Sequence, residues 1–177
     1  MPVADLDRVL SPDYLGDLTA RPVEEIRRMR SECQEVEDSL SYLRRLVQGR
    51  LEVVSADLRC RAETGRPADP ADLVEELPKI LGDRMHAPGL GRPPGRLIPP
   101  DDDRITVELD AVLDAEALAS LADRSDDEVR ELAERLTELE HRVSSDRKAL
   151  HERLDALQAE IARRYKAGEV SVDSLLQ

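Results

Sequence analysis

The sequence predicts an all-α protein: an antiparallel coiled-coil helical hairpin with a long flexible linker and short accessory helices. The chain has 177 residues, of which 40% are hydrophobic and 37% charged, a mixture typical of long amphipathic helices. Aromatic residues make up only 2%, so the large side chains that usually dominate an enzyme core are nearly missing. Apolar residues recur with heptad spacing over residues 22–64 and 126–167, which indicates two helices with a continuous apolar seam.

The first 64 residues are predicted to contain an N-terminal arm and the first long helix. Residues 1–21 are expected to form an arm or a short helix. The first long helix is predicted over residues 22–64, because a proline at the start and acidic Glu24 and Glu25 favour a helix N-terminus. Its seam residues are separated by steps of three and four: Ile26, Met29, Cys33, Val36, Leu40, Leu43, Val47, Leu51, Val54 and Leu58.

A linker and a second long helix complete the chain. Residues 65–125 are rich in Gly and Pro and are expected to be a flexible linker, with short helices over 69–82 and 111–122. Ser125 and Glu128 form a capping-box pattern, which starts the second long helix over 126–167. Residues 168–177 are a short tail. The second seam consists of Val129, Leu132, Leu136, Leu139, Val143, Leu150, Leu154, Leu157 and Ile161.

Seams of this length cannot stay exposed to water. The connection is long enough for the second helix to return along the first, which favours an antiparallel hairpin within one chain. Pairing of the helices between two chains is the alternative.

The two long helices also repeat a polar pattern at an offset of 103 residues, beside the seam. Ser is a poor residue for a helix interior, so its presence at the same register in both copies is informative. If the helices are antiparallel, both copies line one face of the hairpin. We call the two copies the polar stripes: Glu37, Ser41, Arg44, Gln48 and Glu52 in the first helix, and Glu140, Ser144, Arg147, His151 and Asp155 in the second.

The chemistry of the polar stripes suits a guanine nucleotide that has two-fold symmetry. Arg can donate two parallel hydrogen bonds to guanine O6 and N7, and a carboxylate can accept from guanine N1 and N2. Arg45, Arg50, Lys148 and Arg153 are expected to offset phosphate charge. The alternative is that these polar positions are simply solvated or form salt bridges between the helices.

The pattern Glu-x3-Ser-x2-Arg-x3-Gln-x3-Asp, once on each long helix, resembles the signature of the RsiG anti-sigma factors of sporulating actinobacteria. Two positions depart from it, since Glu52 replaces Asp and His151 replaces Gln. The resemblance implies that all ten stripe residues bind cyclic di-GMP, with two molecules as regulatory ligand. It also implies that the liganded protein sequesters a sporulation sigma factor of the WhiG type and so blocks transcription initiation.

Other function classes are less compatible with the sequence. A net charge of -13 argues against direct binding of nucleic acid, whose phosphates need cationic partners. No signal peptide or membrane span is evident, so a cytoplasmic protein is expected. The scattered His and Cys residues predict no metal site, and an exposed helix face offers no sheltered pocket for an enzyme. A ligand-free structural coiled coil or homodimeric scaffold is the alternative function.

Overall fold

The computed structural model describes residues 3–69 and 106–168, and over this part of the chain it confirms the all-α fold. The expected short helix over 69–82 and the tail from 169 onward lie almost entirely outside the described residues, as does most of the expected flexible linker. The described elements are α1 (Val3–Leu10), a 3-10 turn (Leu18–Ala20), α2 (Val23–Thr64), α3 (Val107–Val112), α4 (Ala115–Ala119), a second 3-10 turn (Leu121–Asp123) and α5 (Asp126–Lys166).

The long helices α2 and α5 have well-defined ends. The capping box at the start of α5 is present, because the backbone N–H of Ser125 donates to Oε2 of Glu128 at 2.8 Å and the N–H of Glu128 donates to Oγ of Ser125 at 3.4 Å. Gly65 and Gly168 follow α2 and α5 with φ of 71° and 70°. Glycine adopts this left-handed conformation without strain, and a residue in this conformation commonly ends a helix at its C-terminus.

The chain divides into two compact units. The first unit consists of residues 1–41 and 144–177, and the second of residues 42–143. Each unit therefore contains a part of α2 and a part of α5. In the first unit the Arg27 guanidinium donates to the Tyr165 hydroxyl and also lies over its ring, with 5.8 Å between the guanidinium carbon and the ring centroid.

Contacts between the helices show the direction of packing within each unit. In the first unit, Arg27 near the start of α2 contacts Tyr165 near the end of α5. Glu37, later in α2, contacts Arg147, which is earlier in α5. In the second unit, Arg44 meets Glu140 at 3.0 Å, and a residue near the end of α2 meets Asp126 at the start of α5. Numbers rise along one helix as they fall along the other, so the packing is antiparallel in both units.

The apolar seams form the core of each unit. Most seam residues are buried, but Leu51, Leu58 and Leu154 are only half-buried. Short elements add further core residues. The buried apolar residues of the first unit include Val9, Ile26, Met29, Cys33, Val36, Leu40, Leu150, Leu157 and Ile161, and those of the second include Leu43, Val47, Val54, Leu109, Leu113, Leu121, Val129, Leu132, Leu136, Leu139 and Val143.

The internal repeat extends beyond the long helices. The offset of 103 residues also relates the 3-10 turn at Leu18–Ala20 to that at Leu121–Asp123, and α1 to α3. It likewise relates Gly65 after α2 to Gly168 after α5. Among the described residues, each unit therefore contains a short helix, a 3-10 turn and segments of α2 and α5, and the second unit contains α4 in addition.

The accessory region before α5 differs from the expected single helix over 111–122. The backbone is extended at Leu113 (φ -159°), and Asp114 then caps a new helix by accepting a hydrogen bond from the N–H of Ala117 at 2.7 Å. An Asp side chain satisfies the first free N–H groups of a helix and so favours a fresh start at this point. Within the described residues, no helix has an apolar stretch long enough to cross a membrane.

Candidate functional site

The first unit brings residues of both polar stripes together around one carboxylate. Oε1 of Glu37, on α2, accepts a hydrogen bond from Oγ of Ser41 at 2.7 Å. The same oxygen accepts from Nη2 of Arg147, on α5, at 2.8 Å and from its Nε at 3.2 Å. Nε2 of His151, one turn further along α5, lies 3.3 Å away. We call these four residues the Glu37 cluster.

Glu37 is charged although it is nearly buried. Burial by itself would raise the pKa of its carboxyl group, but hydrogen bonds from Ser41 and Arg147, with the charge of Arg147, outweigh burial and hold the pKa below its usual range. The side chain of Glu37 is 9% exposed and that of Arg147 is 23% exposed. A fixed carboxylate thus orients an arginine that solvent and ligands can still reach.

The second unit contains an equivalent arrangement. Oε1 of Glu140, on α5, accepts a hydrogen bond from Nε of Arg44 at 3.0 Å and from Nε2 of Gln48 at 2.9 Å. Arg44 and Gln48 lie one turn apart on α2. The side chain of Arg44 is 34% exposed, and that of Glu140 is 16% exposed. We call Arg44, Gln48 and Glu140 the Glu140 cluster.

The two clusters have the same construction with the roles of the helices exchanged. In each, one long helix supplies the carboxylate, and the other supplies an arginine and a second nitrogen-bearing side chain one turn away. The repeat therefore relates side-chain neighbours as well as sequence positions. The chemical difference lies in this second side chain, which is the Gln48 amide in one cluster and the His151 imidazole in the other.

Three predicted site residues lie next to the clusters. Ser144 is half-buried one turn after Glu140, in the place that Ser41 has relative to Glu37. Glu52 is half-buried one turn after Gln48, and Asp155 is exposed one turn after His151. These residues continue each polar stripe along its own helix.

Arg50 and Arg153, which were expected to offset phosphate charge, instead make hydrogen bonds to short helices. Nη2 of Arg50 donates to Asp110 at 2.8 Å and its Nη1 donates to the carbonyl oxygen of Leu113. Nη2 of Arg153 donates to the carbonyl oxygen of Leu10 at 2.6 Å. Each arginine thus holds the end of a short helix, α3 or α1. Arg50 and Arg153 are themselves related by the offset of 103 residues, and this feature of the sequence could have indicated a shared structural role. Arg45 and Lys148, the other two cations, are exposed.

A second pair of arginines was missed entirely. Arg61 donates through Nε to Asp57 at 2.6 Å, and Arg164 donates through Nε to Glu160 at 2.7 Å. Each also donates through Nη2 to the carbonyl oxygen of the first residue of the 3-10 turn in its unit, at 3.0 and 2.7 Å. All four side chains are nearly buried. These contacts fix the turn that precedes each long helix.

The clusters can bind a ligand by hydrogen bonding and charge. Arginine edges suit the acceptor atoms of a guanine or a phosphate, and carboxylates suit donor groups of a base. No group of three or more His, Cys, Asp or Glu side chains within residues 3–69 and 106–168 could hold a metal ion.

Comparison with known proteins identifies the family. No curated protein matches the chain. The family model described as RsiG-like matches residues 12–81 and 115–177, which is well over half of the chain and includes both clusters. The chain therefore belongs to the RsiG-like family, whose members are regulators of the anti-sigma factor type.

Proposed function

We propose that the protein is an anti-sigma factor that sequesters a sporulation sigma factor of the WhiG type when cyclic di-GMP is bound to the polar stripes. Membership of the RsiG-like family supports an anti-sigma role with a sigma factor as partner. The observation that carries the ligand assignment is the pair of equivalent clusters, because each combines a carboxylate, a reachable arginine and a second nitrogen-bearing side chain.

The chemistry of cyclic di-GMP matches this donor set. The nucleotide has two guanine bases and two phosphates related by two-fold symmetry, and each cluster offers groups that can bind a guanine or a phosphate. Arginine can donate in parallel to guanine O6 and N7, or to a phosphate. The ion pairs hold both arginines in place before the ligand arrives, which lowers the entropy lost on binding.

The proposed regulation follows from thermodynamic linkage. A nucleotide that lies on the polar stripes forms part of the surface that the sigma factor contacts, so it strengthens the complex. The sigma factor must then strengthen nucleotide binding by the same factor. The expected place of action is the cytoplasm, where sigma factors act.

Calorimetric titration with cyclic di-GMP, with and without the sigma factor, tests the proposal. The double variant Arg44→Ala/Arg147→Ala is expected to lose at least about tenfold in nucleotide affinity, because each lost charged hydrogen bond is worth roughly 1.5 to 3 kcal/mol. Arg59→Ala is the matched control, since Arg59 is exposed on α2 away from both clusters. It should bind like the wild type.

A ligand-free structural coiled coil is the competing function. It predicts a dimer in sedimentation and no binding of cyclic di-GMP, whether or not the sigma factor is present. Unchanged nucleotide affinity in the double arginine variant would leave a regulator whose binding site lies elsewhere.

A further inference from the structure

His151 gives the Glu37 cluster an ionisable donor that its counterpart lacks. Nε2 of His151 lies 3.3 Å from Oε1 of Glu37. In the Glu140 cluster, the amide nitrogen of Gln48 donates to Oε1 of Glu140 at 2.9 Å. His151 thus lies beside Glu37 in the place that Gln48 has beside Glu140. The side chain of His151 is 50% exposed, so a ligand and protons from solvent can reach it.

The charges around His151 are defined. Glu37 is the charged group that faces it from α2, and Arg147 on its own helix donates to the same Glu37 oxygen. Lys148 and Asp155 lie within about one turn on α5, and both are exposed. Because hydrogen bonds from Ser41 and Arg147 hold the pKa of the Glu37 carboxyl group below its usual range, the imidazole faces a carboxylate near neutral pH.

Donor counts show why the proton matters for a ligand. The amide of Gln48 has two N–H donors, so one can bond Glu140 while the other remains for a ligand. A neutral imidazole has one N–H, and once this N–H donates to Glu37 the ring offers only an acceptor nitrogen. A protonated imidazole has two N–H donors and matches the amide. Guanine O6, guanine N7 and phosphate oxygens all need donors.

We infer that His151 couples nucleotide binding at the Glu37 cluster to proton uptake, so that the protein binds cyclic di-GMP more tightly near pH 6 than near pH 8. This inference rests on the proposed function. The Glu140 cluster has the Gln48 amide in the corresponding place, and an amide does not titrate in this range. The two clusters therefore differ in their response to pH, and one residue, His151 in place of an amide, determines the difference.

The test is calorimetric titration of the full chain with cyclic di-GMP at about pH 6, 7 and 8, with the sigma factor present, in buffers of different ionisation enthalpy. Wild-type affinity is expected to rise about tenfold from about pH 8 to about pH 6, with proton uptake on binding. His151→Gln should bind without this pH dependence, because it restores the amide that Gln48 provides in the other cluster. Gln48→His should give a steeper pH dependence than the wild type.

The variants separate failure of this inference from failure of the proposed function. If His151→Gln binds the nucleotide with the same pH dependence and proton uptake as the wild type, His151 is not the coupled group and the inference is overturned while the function stands. If neither protein binds cyclic di-GMP at any pH, both proposals are overturned. Circular dichroism of each variant confirms that the helices are intact.

Discussion

Removal of the Arg61 side chain should strongly destabilise the protein, because Arg61 is the centre of a buried polar network. Its side chain is 6% exposed, and that of its partner Asp57 is 2% exposed. Besides Asp57, Arg61 donates to Asp126 at 2.9 Å and to the carbonyl oxygens of Leu121 at 3.0 Å and Arg124 at 2.9 Å. It therefore joins the end of α2 to the 3-10 turn and to the start of α5 within the second unit.

The expected decrease in the free energy of unfolding depends on the buried groups that lose a partner in Arg61→Ala. Asp57 would remain buried with one described donor, the backbone N–H of Ala68 at 2.8 Å. Loss of one partner from a buried ion pair typically lowers the free energy of unfolding by about 3 to 5 kcal/mol. The double variant Asp57→Ala/Arg61→Ala removes both charges, so its loss should be far below the sum of the two single losses.

Urea unfolding followed by circular dichroism measures these changes. The Arg61→Ala midpoint should fall without a change in the slope of unfolding free energy against urea. Arg59→Ala, exposed two residues earlier in α2, should stay within about 0.5 kcal/mol of the wild type. If Arg61→Ala lowers the free energy of unfolding by less than about 1 kcal/mol, or if the losses in the double variant are additive, the buried network does not stabilise the protein in this way.

Three further predictions concern the core, a helix end and acid stability. Leu150→Ala should lower the free energy of unfolding by about 2 to 5 kcal/mol, because Leu150 is fully buried. Leu154→Ala should lower it much less, because Leu154 is only half-buried. Urea unfolding of the two variants measures the difference. Ser125→Ala should lower the free energy of unfolding by about 1 kcal/mol in the same assay. If the variant were as stable as the wild type, the capping box would contribute nothing to stability. Hydrogen bonds from two arginines of its own helix lower the pKa of Glu160 from its ordinary 4.5 to about 2. Its contribution to stability is therefore present above that ordinary value and is lost as the pH falls toward about 2, so Glu160→Gln should flatten the acid-unfolding curve in this window, and an unchanged curve would contradict the assignment.

The heptad pattern was sufficient to predict the two long helices and most of the core. Leu136 and Leu150 are fully buried as their seam positions imply, whereas Leu51 and Leu154 are only half-buried. Periodicity shows which side of a helix is apolar, but it does not show how far a neighbouring element covers that side. The break at Asp114 was missed because an isolated Asp between short apolar runs is as compatible with a helix surface as with a cap.

The site was predictable only in part. The repeat placed both carboxylates and both arginines of the clusters in the polar stripes, but it did not show which carboxylate contacts which arginine on the other helix. The role of Arg50 could not be read locally, because its partner Asp110 lies 60 residues away in sequence. An arginine near a predicted phosphate site and an arginine that holds a helix end look alike until the distant partner is placed.

Thermal unfolding of the protein in the presence of its sigma factor is the decisive experiment on whether the two equivalent clusters bind cyclic di-GMP. A ligand that binds only the folded state stabilises it, by about 2.7 kcal/mol at a concentration one hundred times its Kd. We predict a rise in Tm with cyclic di-GMP, none with GMP, and a strongly reduced rise in Arg44→Ala/Arg147→Ala. An unchanged wild-type Tm, or an equal rise in the double variant, would contradict the account.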